Sequence, residues 1–129
     1  MTMMKKHLAL LVLLLIFSVL LLSGCNETKV TVKTDAEKVI GTWKGIQYYN
    51  NTAIMSTYIF LSNNTFVFWS NYAGQTSTLT GIWEIINNSF IITSGDQLTI
   101  IDYLFSENDT VLTIIESGIA TNLFKQSDE

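Results

Sequence analysis

The sequence predicts an all-β protein: eight antiparallel strands in an up-and-down meander that closes into a small barrel, preceded by a signal-peptide helix. Two observations carry this. From Val39 onward, β-branched and aromatic residues come in short runs separated by Asn- and Gly-rich turns, and no stretch sustains an amphipathic helical period. Proline is absent from the whole chain, so nothing of that kind interrupts a ladder or blunts an edge. A sheet of this size without charged edges is best protected when it closes on itself.

The chain opens with Lys5 and Lys6, followed by an apolar run from Leu8 to Leu22 that only Ser18 interrupts. A spanning helix needs roughly 20 apolar residues, and this run is shorter, so it reads as the core of a signal peptide. Leu22-Ser23-Gly24-Cys25 comes directly after it. These residues resemble the lipobox of bacterial and archaeal lipoproteins, in which a small residue precedes a cysteine that is acylated and becomes the new N-terminus. The resemblance implies a mature chain starting at Cys25, held by at least two acyl chains to the extracytoplasmic face of a membrane. Two chains suffice for stable anchoring when each buried methylene contributes about 0.8 kcal/mol. The expected domains are a leader over 1–24, a lipidated tether over 25–38 and a β domain over 39–129. The tether is polar from Asn26 to Glu37, with a coil reach of roughly 20 Å. Thr34 or Asp35 is placed to cap one helical turn over Ala36 to Val39.

The strands are expected at Ile40 to Tyr49, Met55 to Leu61, Thr65 to Tyr72, Ser77 to Ile86, Ser89 to Thr93, Leu98 to Phe105, Thr110 to Ser117 and Thr121 to Lys125. Asn50-Asn51-Thr52, Ser62-Asn63-Asn64, Ala73-Gly74-Gln75, Asn87-Asn88, Ser94-Gly95-Asp96, Glu107-Asn108-Asp109 and Gly118-Ile119-Ala120 form the expected connections, dominated by Asn and Gly, which accept the positive φ of tight turns. Alternation then assigns faces. Leu79, Gly81, Trp83 and Ile85 form the better interior face of the fourth strand. Tyr58 with Phe60, Phe66 with Phe68, Phe90 with Ile92 and Leu112 with Ile114 continue the pattern. The sixth strand leaves two readings, because Asp102 shares a face with Leu98, Ile100 and Leu104: that face looks outward, or the interior holds an acid in need of a partner.

Composition excludes several function classes. There is no Arg, and removing Lys5 and Lys6 leaves five lysines against eleven acids, a net charge near −6. Such a body lacks the clustered cations that neutralise phosphate backbones, so no nucleic-acid partner is expected. The one histidine is His7 and the one cysteine is Cys25, both at or before the cleavage point. The mature chain therefore has no His or free Cys for a nucleophilic triad or a thiolate or imidazole metal site, and no cofactor or metal is expected. Glu84, Asp96, Asp102, Glu107, Asp109 and Glu116 remain as material for a carboxylate pair, but no spacing singles out two of them. The expected protein is not an enzyme.

Gly41-Thr42-Trp43 opens the first strand, Tyr58-Ile59-Phe60 and Asn64-Thr65-Phe66 flank a turn, and Gly81-Ile82-Trp83 repeats the opening motif. Asn108-Asp109-Thr110-Val111-Leu112-Thr113 and Phe124-Lys125 follow. In this order the residues resemble the small lipocalin-like domains of prokaryotic lipoproteins, over most of Val39 to Gln126. The resemblance implies barrel closure by Gly41 and Trp43 and a binding module for a small apolar or envelope ligand, with Tyr58, Phe60, Phe66, Phe68, Trp83 and Ile85 as its lining. The chain departs from lipocalins in its length, in lacking disulfide cysteines and in lacking the arginine that packs on the first-strand tryptophan, for which Lys125 is the available substitute. An eight-stranded barrel encloses little more than side-chain volume, so the same aromatics also suit a filled core. In that case the protein would be a structural lipoprotein recognising an envelope protein through its rim loops.

Asn26, Asn50, Asn63, Asn87 and Asn108 each begin an N-x-S/T sequon. All but Asn26 fall in or beside expected turns, where a glycan acceptor must lie.

Overall fold

In the computed structural model, which describes residues 31–127, eight antiparallel strands follow one helical turn and close into a barrel in sequence order. The expected leader, Cys25 and Asn26 lie outside the described residues. Helix α1 (Asp35–Val39) is started by a capping box. The Thr34 hydroxyl accepts from the Glu37 N–H, and the Glu37 carboxylate accepts from the Thr34 N–H at 2.7 Å. That backbone hydrogen bond holds the Glu37 carboxyl below its ordinary value.

The strands are β1 (Gly41–Tyr49), β2 (Thr52–Phe60), β3 (Thr65–Tyr72), β4 (Gln75–Ile86), β5 (Ser89–Ser94), β6 (Gln97–Ser106), β7 (Val111–Glu116) and β8 (Ile119–Lys125). The expected strand count and order appear, but the connections are shorter than expected: Thr52, Gln75, Ser94, Ile119 and Ala120 lie in strands. β2 and β4 begin earlier than alternation suggested, because Asn50 and Asn51 (φ 47° and 61°) and Ala73 and Gly74 (φ 50° and 81°) make tighter turns than the polar stretches imply.

The barrel has two unlike halves. At the end covered by α1, Val39, Trp43, Phe60, Phe66, Trp83, Phe90, Leu112 and Leu123 are buried in one cluster. Phe60 stacks on Phe90 with centroids 5.4 Å apart and meets Trp83 edge-on at 5.7 Å. The Trp43 indole donates to the Val39 carbonyl at 2.7 Å, and the Trp83 indole donates to the Leu61 carbonyl at 3.2 Å. The Gly-x-Trp tryptophans thus tie their rings to backbone outside the strands, Trp43 to the last residue of α1 and Trp83 to the β2–β3 connection. Gly81 is needed where it stands: a Cβ there would lie 2.1 Å from the Thr93 carbonyl oxygen and 2.8 Å from the Phe66 ring.

Lys125 sits on Trp43 as a cation over the ring, 5.2 Å from the centroid, and its ammonium donates to the Lys38 carbonyl at 2.8 Å. Asp35 accepts from the Tyr103 hydroxyl at 2.8 Å, and Lys38 lies 3.5 Å from Asp109. These contacts fasten α1 to the barrel, so the ordered body takes in the last residues of the segment expected as tether. β6 resolves the two readings of its faces. Leu98, Ile100 and Leu104 are all more than three-fifths exposed, Asp102 is exposed and accepts from the Ser89 hydroxyl, and Ile101 is buried.

Candidate functional site

The second half of the barrel is built from smaller and more polar inward residues. Beyond Trp43, β1 places Gly45 and Gln47 on the inner face; β2 places Ser56 and Ile54, and β3 places Phe68 and Ser70. Ser56 pairs across to Ser70 and Tyr58 to Phe68, so a ring pair at 4.7 Å closes the floor while serines leave room above it. The result is a cavity of about 350 Å³ lined chiefly by Gln47, Ile54, Ser56, Tyr58, Phe68, Ser70, Ile114, Glu116 and Thr121. This volume is at the small end of the roughly 300–1,000 Å³ that ligand pockets occupy.

The six residues expected to line one ligand site are therefore divided. Tyr58 and Phe68 face the cavity, whereas Phe60, Phe66 and Trp83 are buried in the packed half and Ile85 packs against that cluster. Leu79 keeps its inward parity opposite Phe68 but is 46% exposed, because β4 rises past the packed region. Alternation marks which face looks inward; it does not tell which level of the barrel is filled. The serines on β2 and β3 were the available signal for the hollow level, a pair of small polar residues at inward parity among aromatics.

Burial, assisted by the nearby charge of Glu116, pushes the Tyr58 phenol up to about 12. Tyr103 is also pushed up to about 12, by burial first and then by its bond to Asp35 and that carboxylate's charge. The acids that could have formed a catalytic pair are dispersed. Glu84 and Asp102 point outward, Asp96 is in the β5–β6 turn, Glu107 and Asp109 are in the β6–β7 turn, and Glu116 stands at the cavity rim. The cavity holds Glu116 and no other acid.

A second concavity lies at the seam where the barrel closes. The β1–β8 ladder joins Trp43 to Lys125 and Lys44 to Phe124, while every other seam is paired along five residues or more. Beyond Lys44 the strands part, and a groove of about 870 Å³ runs between and over them. Ile46, Tyr48, Met55 and Phe124 are at least half exposed along it, with Trp69 beside them and Lys44 at its paired end. Gly45 permits the close approach just before the strands separate, since a Cβ there would lie 2.6 Å from the Leu123 side chain and 2.8 Å from the Asn122 carbonyl oxygen. The Gln47 amide donates to the Thr121 hydroxyl across the parted strands. Both residues line the groove and the inner cavity, so this bond is the partition between the two spaces. The sequence pattern did not show the seam, because the residues of β1 and β8 alternate there as they do in paired strands.

Asn50, Asn63, Asn87 and Asn108 are all exposed in turns, three of them with φ between 47° and 54°. Asn63 accepts from the Thr65 N–H at 3.1 Å, which fixes its turn. Among the described residues no cluster of three or more His, Cys, Asp or Glu is placed to hold a metal ion. No family model matches the chain, and no curated protein matches it.

Proposed function

We propose that the chain is a non-catalytic binding lipoprotein: anchored through acylated Cys25 at the extracytoplasmic face of the cell membrane, with a lipocalin-like barrel that takes a small, neutral apolar ligand in its open half. The observation that carries this is the cavity lined by Tyr58, Phe68 and Ile114 above a filled floor. Its apolar walls supply burial, and the few polar groups around them, Ser56, Ser70 and Gln47, supply orientation. Glu116 at the rim disfavours an anionic occupant by like charge. The lipobox and the polar tether support the location, and turn asparagines 50, 63, 87 and 108, with Asn26, stand as glycan acceptors.

Two measurements on the full chain test this reading. Intact mass of the membrane-extracted protein should equal residues 25–129 plus at least two acyl chains, with any further mass reporting glycans; an unprocessed, unacylated mass removes the anchor. A neutral naphthyl dye should bind the protein, and Ser70→Phe, which fills the cavity, should weaken it about tenfold, or ~1.4 kcal/mol. Equal binding by the variant would place the dye elsewhere.

A second reading is favoured by a separate observation. Ile82 on β4 and Leu98, Ile100 and Leu104 on β6 are each 57–62% exposed on the outer face, with β5 between the two strands. Such a stripe suits an envelope protein partner, and a structural role through this face is compatible with ligand binding inside.

A further inference from the structure

The seam groove and the inner cavity differ in charge. The groove lining contains one cation, Lys44, and no acid, on a chain with eleven acids and seven lysines; the cavity lining contains one acid, Glu116, and no cation. Lys44 makes no ion pair among the described residues, and its outward position opposite Phe124 sets its ammonium at the head of an apolar trough formed by Ile46, Tyr48, Met55, Trp69 and Phe124. The groove is flanked on its β1 and β8 sides by strands that have left their ladder, and floored by the Gln47–Thr121 bond.

We propose that this β1–β8 seam is a second binding site, outside the barrel interior, for the single acyl chain of an anionic amphiphile whose head group pairs with Lys44. Apolar burial along the trough supplies the affinity, and the lone cation selects a negative head at one end. The inner cavity, with Glu116 at its rim, repels the same head group. A fatty acid and a lysophospholipid share this chemistry. Because the strands here also expose unpaired edges, an extended peptide is the competing occupant. The proposal does not depend on the ligand proposed for the interior, so the two stand or fall separately.

The test is photo-crosslinking in membranes from cells making the full chain, using a diazirine-bearing fatty acid, a diazirine-bearing lysophosphatidic acid and a diazirine-bearing fatty alcohol. Adduct positions are read by mass spectrometry after chymotryptic digestion. Adducts at Tyr48, Met55, Trp69 or Phe124 are expected with the anionic probes. The yield should fall about fivefold with the neutral alcohol and in Lys44→Gln, the factor that one partly exposed ion pair carries. If only one anionic probe labels the seam, it identifies the head group. Adducts confined to Tyr58 and Phe68 would overturn the seam site while supporting the interior one. Seam labelling that is equal for acid and alcohol and unchanged in Lys44→Gln would overturn the anionic selection. Absence of seam adducts with both anionic probes would overturn the amphiphile and leave strand addition by an extended peptide as the seam's occupant.

Discussion

Single side chains decide how the closed half holds together. Trp43 both fills the core and donates to the Val39 carbonyl, so Trp43→Phe keeps most of the volume but leaves a buried carbonyl without its donor. That loss should cost about 1–3 kcal/mol, read as a lower denaturation midpoint at unchanged m-value. Gly81→Ala should cost a similar amount, about 1–3 kcal/mol, because the new Cβ meets the Thr93 carbonyl and backbone cannot step aside as a side chain can. Tyr58 and Tyr103 supply a pH dependence whose sign is fixed. Folding raises both phenols from the ordinary tyrosine value of about 10 to about 12, so the stability they contribute is complete below pH 10 and is lost as pH rises through about 12. Spectrophotometric titration should show a component near pH 12 that shrinks in Tyr58→Phe and again in Tyr103→Phe.

The elements differ in how firmly they are paired, and β1 with β8 is the weak seam. Extending the register from Lys44–Phe124 places Ile46 opposite Asn122 and Tyr48 opposite Ala120, the positions whose edge groups would complete the ladder. Amide exchange at these four residues should be fast, while the Tyr58–Phe68 region of β2 and β3 stays protected; equal protection at both would mean that the seam is closed in solution. Helix α1 carries a different dependence. The Glu37 carboxyl is lowered by its bond to the Thr34 N–H, so the capping box is complete above the ordinary carboxylate range and is lost only as pH falls below that range, through the lowered value. Much of this was legible in the sequence: the Thr34 cap, the Asn-rich hairpins and the inward parity of Trp83, Phe60 and Phe66 all follow from local chemistry. The parting of β1 from β8 was not, because closure sets the last two strands against each other across the whole chain, and no local pattern records how far they stay together.

For the whole molecule, the barrel works as two levels rather than one cavity. Large rings reach one another across the α1 end, and α1 covers it through Val39 and the Lys125 and Tyr103 bonds. Serines at inward positions of β2 and β3 leave the other level hollow. The fold class was readable from strand spacing and turns, and the aromatic face from alternation. The division of that face was not, since six inward aromatic and aliphatic residues look alike until the register sets their height. One consequence is that Trp83, packed below the floor, should not report on an interior ligand, whereas Trp69 beside the seam should report on a ligand there. The most direct measurement is the set of intermolecular nuclear Overhauser contacts between a neutral naphthyl ligand and the full chain. Contacts to Tyr58, Phe68 and Ile114 are expected, with none to Phe60, Trp83 or Phe90. Contacts to those three closed-half rings, or a bound ligand touching neither set, would contradict the two-level barrel as a binding module.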